Sequence, residues 1–201
     1  KRFVKANGGE VAWEELVPTD ATDFSAYFLK IRQARPDVII SNLAGNQITN
    51  FIKQYSEFGL SIPYGGFGFD TAVAWGAGKG NFGGVWPIIW HHDLDVPQSK
   101  AFVAAFMKKF GKPPENQAWG DYVGAKVLAR AMNEAKTSDT AGLLAYFEKE
   151  PKFDILKARE GYFRSWDHQL IQEMYTMTAK PLAQVKDQWD LMILGPAVPA
   201  A

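Results

Sequence analysis

Residues 37–67 read DVIISNLAGNQITNFIKQYSEFGLSIPYGGF, and this stretch predicts a strand–helix–strand unit. Its first five residues form a β-branched run of the kind found in strands covered on both faces. The apolar residues that follow recur at helical spacing and are followed by a glycine that ends the helix: Ile48, Phe51, Ile52, Tyr55 and Gly59. A glycine-rich strand, 64–67, completes the unit. This order implies a parallel sheet with right-handed crossovers.

The flanking sequence first extends this alternation and then changes to helices. Thr22 is expected to be the N-cap of the helix that precedes the quoted stretch. The further predicted elements are helices at 23–34, 71–75, 98–110, 116–135 and 140–149 and strands at 84–89, 161–164, 171–179 and 189–194. The predicted fold class is therefore α/β, with a helical segment from Pro97 and a short β return.

Composition excludes several classes of protein. The chain has 201 residues, with 22 Lys and Arg against 22 Asp and Glu, so electrostatics give no reason to bind nucleic acid or an anionic membrane. The absence of cysteine excludes disulfide scaffolds, iron–sulfur clusters and thiolate zinc sites. The longest run without charge, Val38 to Ile52, is too short and too polar to span a bilayer.

Motifs that would carry catalysis are weak. The glycine pattern at 78–83 precedes a predicted strand instead of opening a helix, so a surface turn is favoured over a dinucleotide site. His91 and His92 are adjacent, and on an extended chain their imidazoles would point to opposite sides; we therefore expect no metal site with Asp93. Asp167 and His168 have the same problem as a catalytic pair. Without a G-x-S-x-G elbow, we expect no catalytic residues and no enzyme activity.

Two loops at the carboxyl ends of predicted parallel strands are better candidates, because α/β sheets bind ligands there. One loop runs from Ser41 to Asn46 and is either an ordinary βα turn or a polar rim that faces a ligand. The other contains Phe67, Phe69 and Asp70, and its aromatic rings either close the core or stack on a ligand. The residues alone leave these alternatives open.

Short motifs along most of the chain share their order and spacing with one known family. They are Gly8-Gly9-Glu10-Val11, Pro18, Asp23-Phe24-Ser25, Pro36-Asp37-Val38-Ile39, Phe51-Ile52-Lys53-Gln54, Gly59-Leu60, Phe106, Lys109-Phe110-Gly111-Lys112, Pro114, Tyr122, Leu128, Ala131, Phe163-Arg164 and Asp167-His168-Gln169. With these motifs the sequence resembles the second half of the branched-chain amino acid type of ABC-transporter solute-binding proteins.

The resemblance implies a type I periplasmic-binding fold, in which two α/β lobes joined by three crossing segments close on a small ligand. Residues 1–89 and 171–201 would form the second lobe, with a parallel sheet flanked by helices. Residues 90–170 would be a helical part of the first lobe, whose N-terminal portion is largely missing. The implied ligand-binding residues are Asn42, Ala44, Gly45, Asn46, Phe67, Phe69, Asp70, Trp90 and Trp119.

The implied function is ligand capture for a membrane permease, in the periplasm and without a cofactor. Two alternatives remain: the ligand-sensing domain of a cytoplasmic regulator with the same fold, and an unrelated α/β enzyme. Amino-acid binders commonly place an acid where this sequence has Phe67, and a shift of three residues would bring Asp70 there. An apolar ring cannot pair with a buried ammonium, so we expect an aromatic or other carboxylate without an α-amine.

Overall fold

The computed structural model describes residues 1–198 and confirms an α/β chain. The helices are α1 Arg2–Ala6, α2 Ser25–Ala34, α3 Asn46–Glu57, α4 Thr71–Ala77, α5 Pro97–Phe110, α6 Asn116–Ala135 and α7 Thr140–Phe147, with a 3₁₀ turn at Leu182–Gln184. The strands are β1 Ile39–Asn42, β2 Tyr64–Phe67, β3 Val85–Ile88, β4 Tyr162–Phe163, β5 Leu170–Ile171, β6 Met174–Ala179 and β7 Met192–Val198. Within residues 1–198, every helix is too short or too polar to cross a membrane.

The chain divides into two compact units. Unit 1 comprises Lys1–Trp86 and Thr178–Ile193, and unit 2 comprises Pro87–Met177 and the chain from Leu194 onward. The three divisions lie within β3, β6 and β7, whereas the sequence predicted two boundaries, after residues 89 and 170. Residues 199–201 of the predicted second lobe lie outside the described residues, and the correspondence of units to lobes stays a prediction.

The sheet of unit 1 is parallel where the quoted stretch forms it. Strands β1 and β2 pair in parallel from Ile39 opposite Tyr64 to Asn42 opposite Phe67, and β3 joins β2 in parallel through Val85. The strand order of the sheet is β1-β2-β3-β6-β7. Parallel pairing sends the carboxyl ends of β1 and β2 to the same edge, which positions the two predicted loops side by side.

One face of this sheet carries an aromatic core. The rings of Phe28 and Phe51, from α2 and α3, have centroids 5.2 Å apart, and Phe24 meets Phe51 edge-on at 5.5 Å. The prediction that β1 is covered on both faces is wrong for the described chain, because Ile40 is 69% exposed and Val85 on β3 is also exposed. The β-branched run therefore predicted the strand correctly but not its environment.

The apolar stripe of α6 is buried in unit 2, as its spacing predicts: Trp119, Val123, Val127 and Ala131 all face the core. The predicted strand at 171–179 is instead two strands, because the residues between β5 and β6 turn inward. Glu173 there is buried, and the ammonium of Lys157 donates a hydrogen bond of 2.7 Å to its backbone carbonyl. Tertiary contacts thus interrupt a stretch of sequence that by itself predicts one continuous strand.

The N-cap predicted for α2 is also wrong. The helix begins at Ser25, whose backbone N–H donates to Asp23 Oδ1 at 2.9 Å. The carbonyl of Thr22 instead accepts a hydrogen bond of 2.8 Å from Gln54 Nε2 of α3. The entry into α2 is therefore held by a neighbouring helix and by an aspartate, not by a threonine hydroxyl.

Candidate functional site

The two strand-end loops meet in unit 1 through glycines. A Cβ at Gly66 would lie 1.9 Å from the carbonyl oxygen of Ser41, and one at Gly68 would lie 1.7 Å from that of Leu43. Both glycines have positive φ, which a side chain rarely tolerates. Glycine is required at these positions because the backbone of one loop rests on the other, so the sequence-predicted loops do form one continuous edge.

Within the second loop the two phenylalanines face different environments. Phe67 is 62% exposed, whereas Phe69 is 2% exposed. The ring of Phe69 packs at 4.8 Å from Trp86 and at 5.2 Å from Phe82. Phe69 is therefore a core residue of unit 1, as the packing alternative has it, and Phe67 is the ring that remains available at the edge.

Asp70 has a structural partner. Its Oδ1 accepts a hydrogen bond of 3.0 Å from the backbone N–H of Val73, which makes Asp70 the N-cap of α4. Capping stabilises a helix by about 1 kcal/mol. An aspartate engaged in this way is poorly suited to serve as the counter-ion of a ligand ammonium, so the position of Asp70 does not favour the three-residue shift.

The first loop presents a polar rim at the start of α3. The backbone turns at Gly45, which has a φ of 55°, and Asn42, Ala44, Gly45 and Asn46 are all exposed. In the described structure α3 has no side-chain cap, and its first turn contains no acidic residue. Its N–H groups and the helix dipole therefore favour an anion at this end.

Ser41, the first residue of the predicted loop, adds a polar group that the implied set of ligand-binding residues does not include. Its Oγ is buried and has no hydrogen-bond partner within residues 1–198. Ser41 lies at the end of β1, opposite Gly66 in the register with β2. Its place at the end of the β-branched run is the sequence signal for it, since ligands bind at the carboxyl ends of parallel strands. Buried hydroxyls in proteins are rarely left without a partner.

Trp90 and Trp119 do come together, but inside the core of unit 2. Their rings are nearly parallel, inclined by 6° with centroids 6.2 Å apart, and both side chains are buried. The indole N–H of Trp90 donates to Ser99 Oγ at 3.1 Å, and that of Trp119 donates to the Ile155 carbonyl at 2.8 Å. In this arrangement the two rings stabilise unit 2, and neither presents a surface for stacking on a ligand.

A buried ionic cluster lies against Trp119. Lys157 is 4% exposed, its ammonium lies 4.9 Å from the Trp119 ring centroid, and it donates to Gln172 Oε1 at 2.7 Å. Burial lowers the pKa of Lys157 to about 7, and Glu173 partly opposes that shift. Glu173 in turn accepts hydrogen bonds from Tyr175 Oη at 2.5 Å and from a backbone N–H. Lysines are mostly exposed in proteins, and no pattern around Lys157 in the sequence marks it as buried, so sequence reasoning missed the cluster.

The expected divergence of His91 and His92 is wrong. The chain there is a turn, closed by a 3.1 Å hydrogen bond from the Leu94 N–H to the His91 carbonyl, and not an extended strand. The turn stacks the two imidazoles with centroids 4.1 Å apart and an inclination of 26°. Asp93 completes a group whose potential ligand atoms lie within 4.8 Å of one another.

The other two motifs take the places expected of ordinary structure. The glycine pattern at 78–83 forms the loop between α4 and β3. Asp167 pairs with Arg164 through two hydrogen bonds, of 2.9 and 2.5 Å, while His168 Nε2 lies 3.2 Å from Glu148 Oε1. Asp167 and His168 therefore engage different partners and do not form a carboxylate–imidazole pair with each other.

Comparisons with known proteins identify relatives of this chain. A Leu/Ile/Val-binding protein homolog from Brucella suis is 27% identical over 158 residues, covering 70% of this chain and 38% of the relative. A periplasmic binding protein structure from Burkholderia mallei is 27% identical with a TM-score of 0.87, over 98% of this chain and 52% of that one.

A branched-chain amino acid ABC transporter ligand-binding protein from Burkholderia xenovorans is also 27% identical. Its TM-score is 0.81, and the match covers 99% of this chain and 54% of that one. This chain thus spans about half the length of the solved relatives, and the type I fold expected from the resemblance is confirmed. The profile of the periplasmic binding protein family matches residues 1–186, and the chain belongs to that family.

Proposed function

We propose that the whole protein is the solute-binding component of an ABC importer, which captures a small organic ligand and delivers it to a membrane permease from the periplasm. The family match and the names of the relatives support this proposal. The relatives are named as binding proteins, which supports a role without catalysis. An export signal in the gene upstream of this segment would support the periplasmic location, and its absence would favour a cytoplasmic sensor.

Unit 1 is proposed to be the bulk of the second lobe and unit 2 part of the first lobe, whose remainder belongs to chain outside these 201 residues. Each unit exposes apolar side chains that a complete lobe would cover. Ile40 and Val85 are exposed on the sheet of unit 1, and Phe110 and Tyr122 are exposed on helices of unit 2. Exposed apolar side chains of this kind are expected where another segment of the protein packs.

The ligand is proposed to be an aromatic or other carboxylate, and the observation that carries this is the pairing of two features at one edge. The exposed ring of Phe67 offers an apolar stacking surface. Asn42, its partner in the register, leads into the uncapped start of α3, where N–H groups favour a carboxylate. The nearest acid of the loop, Asp70, is engaged as a helix cap, so an α-amine would lack a counter-ion on this edge.

The test is calorimetry on the full-length protein after unfolding, dialysis and refolding to remove bound ligand. The titrants are leucine, phenylalanine, benzoate, 4-hydroxybenzoate and short aliphatic acids. We expect micromolar binding of at least one amine-free acid and weaker binding of the matching amino acid. Micromolar leucine binding without a response to any amine-free acid would show that the Phe67 argument is wrong, and would favour the branched-chain amino acids named for the relatives.

Phe67→Ala should weaken binding of the best ligand about five- to thirtyfold, because a stacked ring contributes about 1–2 kcal/mol. Trp166→Ala is the matched control, since Trp166 is an exposed aromatic residue of unit 2 with no proposed ligand role. Equal affinity in the native protein and both variants would remove Phe67 from the site. Equal losses in both variants would indicate a general effect on folding.

A further inference from the structure

His91, His92 and Asp93 lie together in unit 2. We propose that these three side chains form a binding site for a divalent transition metal of the zinc type. The turn that ends at Leu94 gathers imidazoles that an extended chain would separate. Two imidazoles and one carboxylate are the donor set that zinc accepts, with a fourth position left for water.

The spacing of the three groups supports coordination. Asp93 Oδ2 lies 3.6 Å from His91 Nδ1, and Asp93 Oδ1 lies 3.8 Å from His92 Nε2. These separations exceed ordinary hydrogen-bond lengths of about 2.7–3.2 Å. They are close to the edge of about 3.4 Å between two ligand atoms of a tetrahedral zinc site with bonds of about 2.1 Å. The Asp93 oxygens are thus separated from the two histidine nitrogens by nearly the distance expected when all of these atoms bind one ion.

The surroundings of the cluster suit a bound ion. The His91 side chain is 1% exposed and that of Asp93 is 50% exposed. The cluster is therefore buried on the His91 side and accessible to metal and water on the Asp93 side. The flanking residues Trp90 and Leu94 are buried, and an apolar shell of this kind strengthens coordination by lowering the local dielectric.

Coordination requires small local changes. His91 Nδ1 now accepts a 3.2 Å hydrogen bond from the backbone N–H of Asp93, and the metal would take over that lone pair. The ring planes are inclined by 26°, so both rings must rotate for their nitrogen lone pairs to meet at one ion. The metal must therefore bind tightly enough to offset these changes, which favours zinc, nickel or copper over magnesium or calcium.

The experiment uses the full-length protein without any purification tag, titrated calorimetrically with ZnCl2 and, separately, with MgCl2. We expect one equivalent of zinc to bind and magnesium not to bind. His92→Asn and Asp93→Asn should each weaken zinc binding about tenfold or more, since each removes one of three protein ligands. His168→Asn is the matched control, because His168 is the remaining histidine of the sequence and should leave binding unchanged.

A second readout distinguishes loss of ligands from loss of the fold. The visible spectrum of the Co²⁺-loaded chain should show the intense bands of a four-coordinate site in the native chain and in His168→Asn, and lose them in His92→Asn. Circular dichroism establishes that each variant is folded. The proposal is overturned by no zinc binding to the native chain at 100-fold excess, by unchanged binding in folded His92→Asn, or by loss only in His168→Asn.

Discussion

Phe67 and Trp119 are both aromatic residues predicted to meet a ligand, and they lie in contrasting settings. Phe67 follows a strand of unit 1 and remains exposed at its edge, whereas Trp119 starts the buried stripe of α6 and stacks on Trp90 within unit 2. The indole N–H of Trp119 is bound to a backbone carbonyl, while Phe67 has no polar group to place. The comparison teaches that an aromatic residue is available to meet a ligand only where the core does not need its ring.

The largest expected effect on stability is at the buried member of this pair. Trp119→Ala should lower the free energy of unfolding by about 3–5 kcal/mol, since it removes a large buried ring and leaves a cavity. Urea unfolding followed by circular dichroism measures the change. Trp166→Ala is the control, because Trp166 is 75% exposed and should change stability by at most about 0.5 kcal/mol. Similar values for both variants would contradict the core role of Trp119.

The loop that carries Phe67, the exposed member of the pair, depends on Gly68, the next residue in the chain. Gly68→Ala should cost about 3 kcal/mol, because its left-handed backbone disfavours a side chain and the new Cβ would overlap the Leu43 carbonyl. Gly59→Ala shares the positive φ but meets nothing within 4 Å, so it should cost about 1 kcal/mol. Thermal unfolding of both variants measures the difference. A difference near zero would mean that the two loops are not held as closely as the structure shows.

The ionic cluster beneath Trp119 should make stability depend on pH. The pKa of Lys157 is about 7 in the folded chain against a usual 10.5, so between these values the unfolded chain holds a proton that the folded chain has lost. Stability should therefore rise by about 2 kcal/mol from pH 7 to pH 9, and the pH dependence due to Lys157 should level off below about pH 6. Urea midpoints measured at half-unit steps of pH test this.

Lys157→Met should flatten this rise, and Lys149→Met should not, because Lys149 is exposed. The comparison of the two variants removes the contribution of every other titrating group. Parallel pH profiles for the native chain and Lys157→Met would contradict the assignment of the proton to Lys157.

The smallest expected effect on stability is at Phe67 itself. Phe67→Ala should change the free energy of unfolding by no more than about 0.5 kcal/mol, because most of the ring is already in water. Phe69→Ala, two residues along, should cost about 3–5 kcal/mol, since that ring packs between Phe82 and Trp86. Thermal unfolding separates the two. A large loss in Phe67→Ala would place its ring in the core and remove it as a ligand surface.

Local sequence patterns predicted helices and strands well where the pattern was an apolar stripe along one face or a residue that ends a helix. The apolar spacing of α3 and α6 and the strand at 64–67 all appear in the structure, because helix and strand periods are written directly into the order of apolar residues. The position of the two candidate loops also followed, since parallel strands bring their carboxyl ends to one edge. The sequence did not predict which side chains of these loops are buried, since Phe67 and Phe69 look equivalent in it.

Sequence alone determined the α/β class, the order of most strands and helices and the edge where the two candidate loops lie, because these depend on periodicity and connectivity. Tertiary structure decided which side chains at that edge remain exposed, that Asp70 caps a helix, and that Lys157 and Glu173 are buried together. It also stacked His91 on His92 through the turn at residues 91–94, which no periodic pattern in the sequence predicts. These outcomes depend on contacts between residues far apart in sequence or on the exact path of a loop, and neither is encoded in local spacing.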